Sequence, residues 1–279
     1  MDNQKVWFVT GASKGLGLSL VKQLLKEGFK VAATTRKLKE LTGAVANDTA
    51  NFLPLVADLK NEESIGEAID ASIAKFGKID VVVNNAGYGL TGSLEELSDE
   101  EARANFDVNV FGSLNVIRKV MPHFRAKHAG HIFNIASIGG YTGGFPGFGI
   151  YCATKFAVAG FSESLAAEAA PFGVNVTVVY PGYFRTSFLS PDSLIVPKNQ
   201  IEAYQEVRAN EHAHQNSING NQAGDPEKAA DALIQVAGAE KPPLHLFLGA
   251  DAYEFANVKI NQVKQDLEEQ KQITVNTGF

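Results

Sequence analysis

The sequence predicts a single α/β domain of the doubly wound type, in which helices cover both faces of a parallel sheet of about seven strands. Short apolar runs rich in Val, Ile and Phe alternate along the chain with longer amphipathic segments. The short runs are apolar at consecutive positions, which is typical of strands that are buried on both faces. No low-complexity linker divides the 279 residues, and no internal repeat is present. One domain spanning 1–279 is therefore expected.

The strands and helices are predicted from their hydrophobic periodicity. Strands are predicted at 5–10, 30–35, 52–58, 79–85, 130–137, 174–182 and 244–250. Helices are predicted at Leu16 to Glu27, Glu62 to Phe76, Asp99 to Lys127, Phe156 to Phe172, Pro226 to Ala237 and Asp251 to Gln272. Asp225 is expected to cap the helix that has Pro226 at its first position. The β-α-β order of these elements indicates parallel strands.

One region of the chain lacks a regular pattern. Residues 187–224 are rich in Asn, Gln, His and Ser. A long insertion near the carboxyl ends of parallel strands is more often a lid or a binding loop than a linker. We therefore interpret 187–224 as a substrate loop.

Charge and composition exclude several classes of protein. The formal net charge is -6, and Lys and Arg are scattered instead of forming a basic run, which argues against a nucleic-acid or membrane-surface partner. No apolar stretch approaches the ~18 residues of a membrane span. The single cysteine, Cys152, cannot form an internal disulfide, and no export signal is recognised, so a reducing cytoplasm is expected. Cys152 is predicted to be a packed helix residue, with a reactive thiol as the alternative.

A glycine-rich turn follows the first strand and opens a helix. In "TGASKGLG" the glycines Gly11, Gly15 and Gly17 flank Ser13, Lys14 and Leu16. Glycines let the backbone approach a pyrophosphate, and the amide groups at a helix N-terminus stabilise its negative charge. The pattern predicts a dinucleotide-binding turn made by these six residues.

The end of the second strand predicts which dinucleotide binds. An NAD site carries an acidic residue there to accept hydrogen bonds from the ribose hydroxyls. This chain has "TTRK" instead, so Arg36 and Lys14 can pair with a 2'-phosphate. NADP(H) is therefore expected in preference to NAD(H). The alternative is that both side chains are ordinary solvated cations.

Tyr151 and Lys155 are four residues apart and precede a predicted helix. In a helix, residues at this spacing share a face, so the ammonium group can approach the phenol. A unit charge about 4 Å away contributes up to about 4 kcal/mol at an effective dielectric constant of about 20. One pKa unit corresponds to about 1.4 kcal/mol. We therefore expect Lys155 to lower the pKa of Tyr151 and to make the phenol a usable acid or base.

Six motifs together resemble the short-chain dehydrogenase/reductase family. They are "TGASKGLG", "NNAG" at 84–87, "NVFG" at 109–112, "IAS" ending at Ser137, "YCATK" at 151–155 and "PGYFRT" at 181–186. Each motif is modest evidence alone, but all six occur in the family's order and spacing. The glycine spacing and the short chain favour the oxidoreductase branch over the nucleotide-sugar epimerases and dehydratases.

This resemblance implies a Rossmann domain with a catalytic set of Asn109, Ser137, Tyr151 and Lys155. Ser137 would hold the substrate oxygen against Tyr151, and Lys155 would also bind the nicotinamide ribose. Asn109 would stabilise a helix distortion and a water that feeds protons to Lys155.

The resemblance also implies further cofactor contacts. Asp58 and Leu59 would lie at the adenine, and Asn85 and Gly87 along the cofactor. Pro181, Gly182 and Thr186 would lie near the nicotinamide carboxamide. Residues 1–136 would then form mainly the cofactor-binding half, and 137–279 the catalytic and substrate-binding half. A homo-oligomer, either a dimer or a tetramer, is expected through the helices that begin near Asp99 and Thr154.

The substrate class is predicted from aromatic residues near the expected reaction centre. They are Tyr141, Phe145, Phe148, Tyr183, Phe184 and Phe188. They indicate a small lipophilic or aromatic alcohol, ketone or aldehyde, or else they pack the core. His212 and His214 are expected at the surface, with substrate contact as the alternative, and no metal site is predicted.

The predicted function is hydride transfer between NADP(H) and a carbinol or carbonyl carbon, with Tyr151 exchanging the proton. The alternative is a non-catalytic protein of the same fold that senses NADP(H). Such proteins usually lose the tyrosine, so the presence of Tyr151 favours the enzyme.

Overall fold

The computed structural model describes residues 5–45 and 50–279. The strands in this part of the chain are β1 (Val6–Val9), β2 (Lys30–Thr35), β3 (Phe52–Val56), β4 (Val81–Asn84), β5 (Gly89–Leu90), β6 (Gly130–Ile135), β7 (Val174–Pro181), β8 (Leu194–Ile195) and β9 (His245–Leu248). The helices are α1 (Gly15–Lys26), α2 (Leu38–Ala44), α3 (Glu62–Phe76), α4 (Asp99–Phe106), α5 (Gly112–Lys127), α6 (Gly149–Ala169), α7 (Gln205–His212), α8 (Pro226–Ala237), α9 (Ala250–Glu269) and α10 (Lys271–Val275).

Seven of these strands form one parallel sheet in the order β3-β2-β1-β4-β6-β7-β9. The chain runs outward from β1 to β3 and then returns to place β4 on the other side of β1. Ligands of open α/β sheets bind beside such a reversal, at the carboxyl ends of the strands. The fold is the predicted doubly wound Rossmann type, and its sheet includes strands from both predicted halves.

The core lies on both faces of the sheet, because successive residues of β1 point to opposite sides. Trp7 and Val9 pack in a cluster with residues of α1 and α8, such as Leu20 and Leu233. Val6 and Phe8 pack in a second cluster with residues of α3, α5 and α6. Consecutive apolar residues are therefore required in this strand, which confirms the reasoning from the sequence.

Two helices have the predicted bounds. Helix α3 spans Glu62–Phe76, and α8 spans Pro226–Ala237. Each has a polar side chain at its N-cap, and the Asp225 carboxylate accepts the backbone N–H of Glu227 as expected. These signals are local, and they are sufficient to locate a helix end.

Other helices differ from the prediction. The helix predicted at 99–127 is divided between α4 and α5 by a π-helical turn, Asp107–Phe111. Helix α6 begins at Gly149 instead of Phe156. The sequence does not mark this start, because no polar side chain caps it and glycines precede it. Helix α2 was not predicted, and Lys37 at its N-cap likewise makes no side-chain capping bond.

The predicted loop 187–224 contains regular structure. Strand β8 pairs in parallel with β5, and α7 continues into a π-helical turn, Ala213–Ile218. Ile218 packs against the cluster that contains Tyr151 and Phe148. The segment thus covers the region of Tyr151.

Candidate active site

A cavity of about 1070 Å³ lies at the carboxyl ends of the central strands. Of the predicted site residues, those that line it are Gly11, Ser13, Lys14, Gly15, Leu16, Arg36, Asp58, Leu59, Asn85, Gly87, Ser137, Tyr151, Lys155, Pro181, Gly182 and Thr186. Gly17 and Asn109 lie behind the wall of the cavity. The tertiary structure therefore brings together motifs that are far apart along the chain.

The glycine turn is closely packed against the loop that follows β4. Gly11 has φ +65°, and a Cβ there would lie 2.7 Å from the Ala86 Cα. The Asn85 Nδ2 donates to the carbonyl oxygens of Thr10 at 2.9 Å and Gly11 at 3.0 Å. A Cβ on Gly17 would collide with the Asn85 amide and lie 2.8 Å from the Gly11 oxygen. Gly17 therefore acts on the cavity through Asn85.

The N-terminus of α1 opens on the cavity and is suited to an anion. Lys14 is its N-cap residue and makes no side-chain hydrogen bond to the first-turn amides. No acidic residue lies in the first turn. The uncapped amide groups and the positive end of the helix dipole can hold a phosphate. This cradle fits the pyrophosphate of a dinucleotide.

Cations lie where the second strand ends. Arg36 and Lys14 are exposed and line the cavity, and Lys14 Nζ donates to the Asp192 carbonyl oxygen at 3.3 Å. Lys37 is instead paired with Glu40 at 2.8 Å. Arg36 forms no ion pair within residues 5–45 and 50–279, so its guanidinium can meet a ligand phosphate.

The π-helical turn places Asn109 against the loop after β4. Its Oδ1 accepts the backbone N–H of Tyr88 at 3.0 Å, and its Nδ2 donates to the Tyr88 carbonyl oxygen at 3.1 Å. The Nδ2 also lies 3.1 Å from Thr154 Oγ1. A Cβ on Gly87 would be 3.0 Å from Asn109 Oδ1 and 3.5 Å from Lys155 Nζ. Asn109 therefore ties three segments together beside Lys155.

Tyr151 and Lys155 both lie on α6, in its first two turns. Lys155 Nζ is 5.8 Å from the centre of the Tyr151 ring and donates to the Ile135 carbonyl oxygen at 2.8 Å. Ser137 follows β6 and adjoins the phenol. A Cβ on Gly139 would be 3.5 Å from Ser137 Oγ and 3.8 Å from Tyr151 Cε1. A hydroxyl, a phenol and an ammonium group therefore converge at one end of the cavity.

The predicted lowering of the Tyr151 pKa is wrong for this structure. Burial raises the pKa of Tyr151, and a hydrogen bond with Ser137 counters only part of this increase. Burial also lowers the pKa of Lys155 to about 8. Lys155 Nζ bonds the Ile135 oxygen and lies 5.8 Å from the centre of the Tyr151 ring, and burial is the largest influence on the Tyr151 pKa. The phenol is therefore protonated at neutral pH.

Most of the aromatic residues singled out in the sequence line the cavity. They are Phe145, Phe148, Tyr183, Phe184 and Phe188. The Phe148 and Phe188 rings lie 6.3 and 5.9 Å from that of Tyr151. Tyr141 instead packs against Tyr180 and Phe247 in the core. The wall around Tyr151 is thus largely apolar.

The histidine prediction was wrong for one of the two residues. His212 is exposed, but His214 is buried and lines the cavity. Its Nδ1 lies 2.8 Å from the Asn210 carbonyl oxygen, so Nδ1 carries the proton, and Nε2 accepts from the Tyr183 hydroxyl at 2.8 Å. The π-helical turn at 213–218, which no local pattern marks, directs His214 inward.

Of two further residues on the wall, Cys152 behaves as predicted and Gln222 was not predicted. Cys152 is packed as predicted, and burial raises its pKa to about 11, which disfavours the thiolate. Gln222 was missed. It is buried and lines the cavity, and a polar residue in a polar segment carries no local signal of burial.

The described residues lack two further features. No helix there is long and apolar enough to cross a membrane. No three His, Cys, Asp or Glu side chains in the same residues cluster so that they could hold a metal ion.

Curated relatives span most of the chain. Oxidoreductase BOA17 of Botryotinia fuckeliana is 37% identical over 90% of this chain and 91% of its own length. A 3-ketodihydrosphingosine reductase of Bacteroides thetaiotaomicron is 35% identical over 88% of both chains. Human 17-beta-hydroxysteroid dehydrogenase type 1 is 32% identical over 87% of this chain and 76% of its own. Each of these three names describes an oxidoreductase.

Solved structures share the fold over nearly the whole chain. A short-chain dehydrogenase from Streptomyces avermitilis has a TM-score of 0.90 and 35% identity, and covers 98% of this chain and 100% of its own. A 3-ketoacyl-(acyl-carrier-protein) reductase from Brucella melitensis, complexed with NADH, has a TM-score of 0.73 and 27% identity over 87% of this chain and 96% of its own. A short chain dehydrogenase from Burkholderia cenocepacia, in complex with NADP, has a TM-score of 0.70 and 26% identity, and covers 98% of this chain and 97% of its own.

A family model agrees with these likenesses. The model described as short chain dehydrogenase matches residues 5–193, which run from the first strand through the glycine turn, Ser137, Tyr151 and Lys155. The matched region thus contains both the dinucleotide cradle and the convergent side chains. On this evidence the chain belongs to the short chain dehydrogenase family of oxidoreductases.

Proposed function

We propose that this protein transfers a hydride between NADP(H) and the carbinol or carbonyl carbon of a small lipophilic or aromatic alcohol, ketone or aldehyde. One observation supports this proposal above all. The side chains of Ser137, Tyr151 and Lys155 converge in the same cavity that the uncapped N-terminus of α1 opens on. NADP(H), when bound, supplies or accepts the hydride. All other roles belong to residues of this chain.

Tyr151 exchanges the proton of the substrate oxygen. Its raised pKa keeps the phenol protonated at neutral pH, which is the form that can donate to a carbonyl oxygen. The Ser137 hydroxyl hydrogen-bonds the Tyr151 phenol and is proposed to bond the same oxygen and hold it in place. Lys155 grips the ribose of the cofactor, and Asn109 positions the segments around Lys155.

The preference for NADP(H) rests on Arg36 and Lys14. Both line the cavity near the end of β2, and no carboxylate occupies the position where an NAD site has one. Asp58 and Leu59 on the same wall are proposed adenine contacts. Asn85 and Gly87 are proposed to contact the cofactor along its length, and Pro181, Gly182 and Thr186 to contact the carboxamide.

The substrate class rests on the aromatic wall and on the family's named members. The names of two relatives describe a keto group and a hydroxysteroid. We propose that 1–136 serves mainly the cofactor, that 137–279 serves catalysis and substrate, and that 187–224 covers the substrate. A cytoplasmic location is part of the same proposal.

A homo-oligomer is proposed through the helices that begin near Asp99 and Thr154. Phe111 and Phe156 in this region are 52% and 43% exposed and offer apolar side chains to such a contact. Light scattering of the purified protein measures the assembly directly. A monomer at micromolar concentration would contradict the proposal.

Fluorescence titration with NADPH and NADH, followed by a panel of carbonyl substrates, tests the function. We expect tight NADPH binding and turnover, and a loss of at least about 100-fold in kcat in Tyr151→Phe with NADPH binding retained. Retained turnover in Tyr151→Phe would remove Tyr151 from the chemistry. NADPH binding without turnover across the panel would favour the alternative, a protein that senses NADP(H) and catalyses nothing.

A further inference from the structure

Gln222 has a buried amide group that no neighbour satisfies. The residue is 3% exposed, and neither its Nε2 nor its Oε1 has a hydrogen-bond partner within residues 5–45 and 50–279. Buried side-chain amides are normally paired, because an unpaired donor or acceptor has lost its water without compensation. An unpaired donor and acceptor on one side chain therefore call for a partner.

The backbone around Gln222 is fixed by hydrogen bonds to neighbouring residues of the cavity wall. Its carbonyl oxygen accepts from Arg185 Nε at 3.1 Å. Gly224, two residues later, donates to the Tyr183 oxygen at 2.9 Å and accepts from the Arg185 N–H at 2.8 Å. The position of Gln222 is thus fixed to the segment that follows β7 and that also lines the cavity.

Gln222 differs from its polar neighbours on this wall. The Tyr183 hydroxyl and the His214 ring satisfy each other, and His214 also has the Asn210 carbonyl. Of the described residues that line the cavity, Gln222 alone has buried side-chain polar atoms without a partner. Because Gln222 lines the cavity, a ligand or a water molecule there can supply the missing partner.

We propose that Gln222 binds a second, uncharged polar group of the substrate, one that both donates and accepts hydrogen bonds, as a carboxamide or a hydroxyl does. The inference rests on the proposed function, which places the reacting carbonyl at Tyr151. A neutral amide matches a neutral partner that has both capacities. Phe148 and Phe188, beside Tyr151, require an apolar body next to the reacting carbonyl. The substrate class is thus a lipophilic ketone or alcohol with a distal neutral polar group.

Matched ketones test this contact. The probes are meta- and para-acetylbenzamide, and their apolar isosteres meta- and para-isopropylacetophenone. Both members of a pair share the reacting carbonyl and the ring, so the ratio of their kcat/KM values isolates the distal group. We expect at least one amide to exceed its isostere by about tenfold or more in the wild type. Gln222→Met should bring this ratio down to about one.

Gln200→Met is the matched control. Gln200 is an exposed glutamine in the same 187–224 segment and does not line the cavity. The ratio should keep its wild-type value in this variant. A wild-type ratio near one for both pairs, or the same ratio in Gln222→Met as in the wild type, would overturn the proposal. If the kcat/KM ratio is the same in Gln222→Met as in the wild type and the melting temperature of the variant is lower, the amide binds a structural water instead.

A binding measurement separates this proposal from the proposed function. Calorimetry on the NADPH complex of Tyr151→Phe gives dissociation constants for the four ketones without turnover. If the amides bind more tightly than their isosteres, and this preference disappears when Gln222→Met is added, the contact is supported. This holds even if the wild type reduces none of the ketones; in that case only the proposed function fails. Equal affinity within each pair, or no binding of any ketone, overturns the contact whatever the turnover.

Discussion

The ammonium group of Lys155 donates a hydrogen bond of 2.8 Å to the carbonyl oxygen of Ile135, the last residue of β6. This bond joins α6 to the sheet at the point where Ser137 follows. It also holds a lysine that is 5% exposed, and burial lowers its pKa to about 8. The same contact therefore has a structural and an electrostatic consequence.

The first prediction is a rise in stability with pH that depends on Lys155. The folded pKa is about 8 and the ordinary value is 10.5, so between these pH values the unfolded chain retains a proton that the folded chain has lost. Burying the charged Lys155 side chain destabilises the folded protein, and this cost is fully present below pH 8. The free energy of unfolding therefore increases with pH above that value, by up to about 3 kcal/mol in total. Urea unfolding of the cofactor-free protein between about pH 7 and 9.5 measures this slope. Lys155→Met should lack it, and equal slopes would contradict the buried charge.

The second prediction concerns Gly17. The Cβ of Gly17→Ala would displace the Asn85 amide, which now bonds the Thr10 and Gly11 carbonyls. We expect NADPH affinity to fall by about tenfold or more and stability to fall by about 1–3 kcal/mol. Calorimetry and urea unfolding measure the two effects.

A glycine on α3 provides the control for this substitution. At Gly66 a Cβ would meet nothing closer than Lys119 Cε at 3.5 Å, and the position is inside a helix. Gly66→Ala should raise stability by about 0.5–1 kcal/mol and leave NADPH affinity unchanged. The same behaviour of both variants would show that the contact at Gly17 is unimportant.

The third prediction concerns cofactor choice. Arg36→Asp replaces a cation near the end of β2 by a carboxylate that repels a 2'-phosphate and can accept the ribose hydroxyls. NADPH affinity should fall by about tenfold or more, while NADH affinity stays the same or increases. Lys39→Asp makes the same charge change on α2, outside the cavity, and should alter the NADPH to NADH ratio little. An unchanged ratio in Arg36→Asp would identify Arg36 as a solvated cation.

The fourth prediction concerns the ion pair that fastens the 187–224 segment. Arg208 on α7 contacts Glu96 and Glu211, each at 2.8 Å, and Glu96 is buried. Burial alone would raise the Glu96 pKa, but hydrogen bonds from Ser93 and Ile201 and the charge of Arg208 hold it below its usual value. Arg208→Met leaves that carboxylate without its cation, and should cost about 2–4 kcal/mol at neutral pH.

The pH dependence and a double variant check the role of this pair. A carboxylate whose pKa is lower in the folded than in the unfolded protein stabilises the fold at pH values above its unfolded pKa. This stabilisation is lost as the pH falls through the folded pKa. In Arg208→Met the Glu96 pKa should rise, so the acid loss should begin at higher pH. In a Glu96→Gln background, Arg208→Met should cost clearly less. Additive costs would show that the two residues do not interact.

Local signals were sufficient for part of the molecule. Helices α3 and α8 were predicted to the residue, because amphipathic periodicity and a polar N-cap are properties of adjacent residues. The glycine turn was predicted as a dinucleotide-binding turn because its glycines stand between a strand and a helix, and the structure places it at the cavity. The parallel order of the strands then brought the other motifs to the same edge.

Other features escaped local reasoning. The start of α6 at Gly149 has no polar cap, so no local signal marks it. A Cβ on Gly140 would lie 2.6 Å from the Lys155 backbone oxygen, so α6 packs directly on the turn that precedes it. His214 is directed inward by a π-helical turn and by its bond to Tyr183. These contacts join residues that are distant in the sequence.

The sequence by itself determined the order of the seven strands of the parallel sheet, several of the helices, the glycine turn and the placing of Tyr151 and Lys155 four residues apart. These features depend on periodicity and on the conformational range of single residues. Only the tertiary structure decided which residues share the cavity, that the pKa of Tyr151 rises instead of falling, and that Gln222 is buried without a partner. Burial and long-range pairing determine desolvation, and they exist only once the helices have packed on the sheet.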